Sequence, residues 1–242
     1  MKHDGGIFFN TKMLRPIIDI LMTVILLLTM SYELIGVALS EIINFDGYEY
    51  GSLIHEFLGI SLVILFFFHL WLNRWWLKTL FKGRYNLTRI ILTSINFALI
   101  IDMVLLTFAG MYMSRLVETP ETDSLMSFSR ICHVTASYWG FILMSFHAGL
   151  NWHIFSAMMF KKMKIESKII PHIIAIIIMI YGAYAFIKRN FWDYMSMNIL
   201  FVFFDYEEPF MYFIIDYVAI MFLFGSLGHY LFLMLKKPAK KF

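Results

Sequence analysis

Polar residues in this chain gather in short stretches, and between them run apolar segments of helix length. Six segments stand out, at about 16–40, 53–77, 89–113, 128–158, 169–188 and 209–235. A helix needs roughly 20 apolar residues to cross a bilayer, and a backbone in lipid has to satisfy its hydrogen bonds internally. The pattern therefore predicts an all-α integral membrane protein with six transmembrane helices. The first segment opens at Arg15-Pro16, where proline suits a helix start. The residues before it, MKHDGGIFFNTKMLRP, carry no small-residue cleavage site, so this segment is expected to stay as an anchor.

Charge between the segments sets the expected orientation. Arg74, Lys78, Lys82, Arg84 and Arg89 follow the second segment; Lys161, Lys162, Lys164 and Lys168 follow the fourth; the tail reads KKPAKKF. The alternate loops are acidic, with Glu41, Asp46 and Glu49, then Glu118, Glu121 and Asp123, then Asp205, Glu207 and Glu208. Basic loops stay cytoplasmic, which puts both termini in the cytoplasm. Trp75, Trp76, Trp152 and Trp192 fall at the expected interfaces, as an aromatic belt does. With 60% hydrophobic residues and 15% charged, the chain lacks the polar surface of a soluble domain. Its net charge of +3 lies in loops and not along a helix face, so it offers nothing to nucleic acid. The one cysteine, Cys132, excludes an internal disulfide, and without CxxCH a covalently attached c-type haem is not expected.

The second and fourth segments carry a repeat. HEFLGISLVILFFFH runs from His55 to His69 and HVTASYWGFILMSFH from His133 to His147. The offsets agree (133 − 55 = 78 and 147 − 69 = 78), and HxxLN follows in both copies, ending at Asn73 and Asn151. Fourteen helical residues turn about 1400°, close to four full turns, and climb about 21 Å. Each helix thus presents two imidazoles on one face at two depths. If the helices face each other, His55 meets His133 near the outer surface and His69 meets His147 toward the cytoplasm. Two facing imidazoles without thiolate or carboxylate partners suit a six-coordinate haem iron, whereas structural zinc takes four tetrahedral ligands. The plain alternative is that these histidines serve packing or the interface. Ionisable groups inside a membrane ordinarily mark function, and the matched duplication favours two b-type haems. Each ligating ring is expected to donate its other N–H to a backbone carbonyl or hydroxyl. The division that follows is a four-helix di-haem module over 1–160, made of helix pairs at about 16–77 and 89–158, with two further helices and a basic tail over 161–242.

HEFLG, the later histidine and LNRWW at 55–59 and 69–76, with 147–153 in the second copy, resemble the flavinylation-associated cytochrome domain family, di-haem b-type membrane proteins of bacteria. The second copy departs from it, since His133-Val-Thr-Ala lacks the glutamate and nearby glycine. The likeness spans roughly 15–158 and leaves the last two segments unplaced. It implies an electron-transfer subunit of an oxidoreductase system in the bacterial cytoplasmic membrane. Electrons would pass between membrane quinol, such as menaquinol, or a partner, and an extracytosolic FMN-binding flavoprotein. No glycine-rich nucleotide fingerprint follows a strand, so the chain is not expected to take hydride from a nicotinamide itself. The rivals are a quinone-reactive cytochrome b anchor of a dehydrogenase or hydrogenase complex and, in another class, a histidine-lined metal-ion transporter.

Other residues carry narrower expectations. Gly59, one turn past His55, offers room for a porphyrin. Arg130 and Arg74 are placed to meet propionates of the outer and inner haem. His153 and His229, near the inner ends of their segments, are candidates for quinone protonation, since histidine titrates near neutral pH. Asp19, Asp102 and Asp216 are intramembrane carboxylates, of which Asp102 lies deepest and is the candidate for a proton path. Glu56 reads as a headgroup contact sooner than as a hydrogen-bond partner of a haem-associated group, and His172 as interfacial.

Overall fold

A computed structural model describes residues 11–32, 34–37, 47–117, 123–159, 169–205 and 207–236. Among them all regular structure is helical: α1 (Thr11–Met30), α2 (Gly47–Leu72), α3 (Arg74–Thr79), α4 (Leu87–Met113), α5 (Asp123–Leu150), α6 (Trp152–Met159), α7 (Ile169–Lys188), α8 (Phe191–Met195) and α9 (Phe210–Leu235). The acidic residues Glu41, Asp46, Glu118 and Glu121, the lysines Lys161 to Lys168 and the tail from Lys237 lie outside the described residues.

Local chemistry accounts for the helix ends. Asn86 caps α4, its side chain accepting from the Arg89 N–H at 2.9 Å, which is what a short polar side chain does for the unsatisfied donors of a first turn. α1 begins at Thr11, earlier than the proline suggested, and carries Pro16 inside it. The two HxxLN motifs break their helices in the same way. The Asn73 backbone N–H and side-chain Nδ2 both donate to the His69 carbonyl, at 3.0 and 2.9 Å. Asn151 does the same to His147, at 3.1 and 2.9 Å. α3 and α6 restart directly after these breaks, so the sequence repeat is also a repeat of backbone form.

Three stretches among the described residues, Gly51–Leu72, Leu87–Met113 and Phe210–Leu235, are long and apolar enough to cross a membrane. Large apolar side chains such as Phe67, Phe108, Ile180 and Met234 point outward, which suggests contact with lipid. The uninterrupted apolar part of α7 is shorter, His172–Lys188, and α5 is diluted by serines, histidines and Arg130.

Packing is uneven. α1 lies along α2, α4 along α5, α5 along α9, and α9 along α7. α5 buries ten residues, whereas the side chains described in α2 bury only Gly51, Leu62 and Leu72. The core is aromatic: Tyr138 and Phe141 of α5 pack with Phe191 and Tyr194 of α8 and with Phe213, Tyr217 and Ile220 of α9. Small residues bring the backbones together, as they do between helices in membranes. A Cβ on Gly149 would strike the Gly225 backbone, and one on Gly228 the backbone of Phe146. The last two long helices are thus built into the wall behind α5. The α1–α2 hairpin touches α4 only lightly, and a cavity separates the two.

A buried charge cluster ties α7 to α9. Asp216 is fully buried. Its carboxylate accepts from Tyr181 Oη at 2.5 Å, Lys188 Nζ at 2.9 Å and Arg189 Nε at 2.8 Å. Glu208 pairs with the same two cations at 2.8 and 2.5 Å.

Candidate cofactor cavity

The cavity between the α1–α2 hairpin and the wall of α4, α5 and α9 has a volume of about 1490 Å³, and His55, His69, His133 and His147 all line it. Pockets for ordinary small ligands hold roughly 300–1,000 Å³, so the space suits something larger or more than one group.

At one level the His55 and His133 rings face each other with centroids 5.8 Å apart and planes at 71°. Two imidazoles at this spacing are the residues that would hold a haem iron between them, one ring from each helix. His55 Nδ1 lies 3.2 Å from the Thr29 carbonyl. A carbonyl only accepts, so Nδ1 carries the proton and Nε2 the lone pair. The His133 ring has the Leu106 carbonyl beside it, with its buried Nδ1 closing no hydrogen bond.

Four turns away sits the second pair. His147 is close enough to His69 and Asp19 to interact electrostatically with both. His69 Nδ1 meets the Asp19 carboxylate at 2.8 Å. The ring partner is thus a carboxylate here, where a backbone carbonyl or hydroxyl was expected, because α1 crosses α2 with Asp19 at the level of His69. Carboxylate–histidine pairs of this kind orient metal ligands and raise their basicity. Each inner Nε2 lies 3.4 Å from the side-chain amide of Asn73 or Asn151, at the weak edge of hydrogen bonding. His147 Nδ1 is buried without a partner.

The remaining candidates divide. Gly59 faces open space, since a Cβ there would meet nothing within 4 Å, and it lines the cavity. Asp102 is buried, its Oδ2 unpartnered. It is seated against Gly140, where a Cβ would collide with it. Gly140 lies seven residues from each histidine of α5 (140 − 133 = 7, 147 − 140 = 7), so Asp102 sits midway between the two levels. His229 lines the cavity and interacts with His153, whose ring stacks on Phe232 at 4.2 Å. Arg74 and Arg130 line none of it. Arg74 donates to the Trp71 carbonyl at 3.0 Å and lies over that indole, and Arg130 lies over Phe201. Both side chains find closer partners at the surface than the cavity offers. Glu56 holds α2 to the end of α4, accepting from Ser114 Oγ at 3.1 Å and the Arg115 N–H at 3.3 Å. His172 is exposed at the start of α7.

Three lining residues went unassigned in the sequence. Asp19 was noted only as an intramembrane carboxylate. Arg15, whose guanidinium donates to the Leu72 carbonyl at 2.9 Å, and Asn96, whose Oδ1 is buried and unpartnered, were not singled out for the site. Among the described residues no three His, Cys, Asp or Glu side chains converge as a metal cage. The histidines come in two pairs, one with ring centroids 5.8 Å apart and one close enough to interact electrostatically. No protein-family model, curated protein or solved structure matches the chain.

Proposed function

We propose that this protein carries electrons across a membrane through two b-type haems. His55 and His133 would hold the outer haem, His69 and His147 the inner one. The observation that carries the reading is the pairing itself: imidazoles from two like helices line one cavity in two pairs, the outer rings 5.8 Å apart, each helix breaking at an asparagine four residues past its inner histidine. Haem, when bound, supplies a one-electron couple whose potential the protein sets through ligands and burial. The chain's own part is to present neutral imidazoles, fix their tautomers through Thr29 and Asp19, and keep the space between the hairpins apolar.

The arrangement in the membrane is six spans with both termini cytoplasmic, in a bacterial cytoplasmic membrane. Electrons enter from quinol, which releases two electrons and two protons on oxidation, and leave to an extracytosolic flavoprotein whose FMN takes up two electrons with protons. His229, on the inner part of the cavity wall with His153 beside it, supports a quinol site there and keeps the rival of a cytochrome b anchor for a dehydrogenase or hydrogenase in view. A metal-ion transporter gains less support, because its histidines would have to converge on one midplane site, and these stand in two layers about 21 Å apart by helix rise.

The test is a dithionite-reduced minus oxidised spectrum of purified protein, with a pyridine haemochrome assay for stoichiometry. Two haems b per chain are expected, one lost in His55→Ala and the other in His69→Ala. Colourless protein from haem-replete cells would refute the reading and bring the transporter forward. Co-purification with an iron–sulfur or molybdenum subunit would select the anchor over the flavoprotein partner.

A further inference from the structure

We propose that Asp19 and Asn96 are matched positioning residues for the two inner histidines, and that the Asp19 carboxylate holds the inner centre at the lower of the two potentials. The inference rests on the two-centre reading above.

The match comes from the helix repeat. The Thr29 carbonyl serves His55 and the Leu106 carbonyl lies beside His133, an offset of 106 − 29 = 77. The same offset carries Asp19, which bonds His69, onto Asn96 (96 − 19 = 77). The register of α4 on α5 leads independently to the same place. Gly110 lies opposite His133 and Asp102 opposite Gly140, so facing residue numbers sum to 243 and 242, and Asn96 falls opposite positions 146–147. Asn96 Oδ1 and His147 Nδ1 are both buried with no hydrogen-bond partner. One is an acceptor and the other becomes a donor in the tautomer that leaves Nε2 for a metal. Buried polar atoms of native proteins are nearly always paired, and these two complete each other.

The partners of the ring Nδ1 atoms then differ in charge between the two layers. Both outer rings turn toward neutral backbone carbonyls. In the inner pair His69 meets a carboxylate at 2.8 Å, and the register places a neutral amide, Asn96, opposite His147. A carboxylate on the distal N–H raises ligand basicity, and its negative charge favours the more positive, oxidised metal. Arg15, four residues before Asp19 on α1, donates to the Leu72 carbonyl and keeps its charge, so it offsets part of the effect, but only the carboxylate contacts a ring. With the inner centre lower, transfer outward runs downhill. The centre that His69 and His147 would hold would pass one electron to the centre that His55 and His133 would hold, with no proton moved.

Spectroelectrochemical titration of the full-length protein in detergent tests this. Wild type should show two one-electron steps. Asp19→Asn should raise the lower step by at least tenfold in its equilibrium constant, about 59 mV for one electron, and leave the upper step in place. Asn96→Asp in the Asp19→Asn background returns a carboxylate to the same centre through the other ligand and should bring the lower step back down. If both haems are retained and the upper step moves, or neither does, the inference is overturned while the two-haem reading stands. Wild-type protein without haem overturns both. If Asp19→Asn loses the inner haem, Asn96→Asp alone decides, since a second carboxylate should lower that step further and an unmoved step refutes the role of Asn96.

Discussion

Asp216→Asn removes one charge from the cluster joining α7 to α9 and changes almost nothing in shape. The carboxylate is fully buried and accepts from Tyr181, Lys188 and Arg189. Its loss leaves two cations sharing Glu208. Removing one partner of a buried ion pair costs about 3–5 kcal/mol. The lower end applies here, because the Lys188 and Arg189 side chains keep 34% and 14% of their exposure and both still reach Glu208. A loss of about 3 kcal/mol is roughly a hundredfold in the folded-to-unfolded ratio. Glu208→Gln is the comparator: its carboxylate is 17% exposed, and a pair that water reaches is worth about 1 kcal/mol or less. Denaturant unfolding in detergent, followed by fluorescence, reads both. The consequence extends to the histidine helix, since Tyr217 follows Asp216 and its hydroxyl lies 3.3 Å from that of Tyr138 on α5. Equal stability of the two variants would refute the assignment of this cluster as the clamp that holds α9, and through it α5, in place.

Three further outcomes follow from the packing. Gly149→Val drives a side chain into the Gly225 backbone and should cost at least the roughly 1–3 kcal/mol of overpacking in thermal unfolding; a neutral result would contradict the close α5–α9 approach. Gly59→Ala enters open space, so the protein without cofactor should be as stable as wild type or slightly more so, while haem content measured by the haemochrome assay should fall; unchanged haem content would free Gly59 from the site. Asn73→Ala and Asn151→Ala each remove an amide donor 2.9 Å from a histidine carbonyl, each costing about 1 kcal/mol, and a large difference between them in unfolding would show that the two breaks are not equivalent.

Helix extent was legible wherever apolar content decided it. The segments read at about 89–113, 169–188 and 209–235 lie within two residues of α4, α7 and α9. Where polar residues continue a helix past its apolar core, the reading fell short. α5 starts at Asp123 and not near 128, and the segment read through 158 breaks at Asn151. The short α8 carried no signal, because a five-residue helix whose cap Asn190 is left-handed has no period to detect. The histidines were legible because they repeat at an even spacing in apolar surroundings. The carboxylate beside His69 was not. Asp19 and its proposed counterpart Asn96 sit on α1 and α4, whose offset is 77 where the histidines keep 78, and the two residue types differ. Which carboxylate meets which ring depends on how one helix crosses another, and linear spacing does not carry that. The contacts of Arg74 and Arg130 were not legible for a related reason: an interfacial arginine takes the nearest carbonyl or aromatic face, here Trp71 and Phe201, which lie outside the cavity.

The unequal burial of the two histidine helices bears on how the site is assembled. α5 is fixed from behind by α8 and α9 through an aromatic core and backbone-to-backbone glycine contacts, so His133 and His147 stand on a rigid wall. α2 rests mainly on α1 and shares with the second hairpin the Glu56 bonds to Ser114 and Arg115. Across most of its length it faces the cavity. Protein interiors are close-packed, and a large apolar gap forfeits the contacts its lining would otherwise make. A hairpin held across such a gap gains its missing contacts from whatever fills it, and groups bound by the folded state alone add their binding energy to stability. Ligation by one ring from each side would then do two things at once. It would set the metal, and it would supply the link between hairpins that the side chains by themselves leave thin. The division of labour would follow the burial: α5 would fix where the centres lie, and α1, which carries Asp19 and Thr29 against the His69 and His55 rings of α2, would tune them.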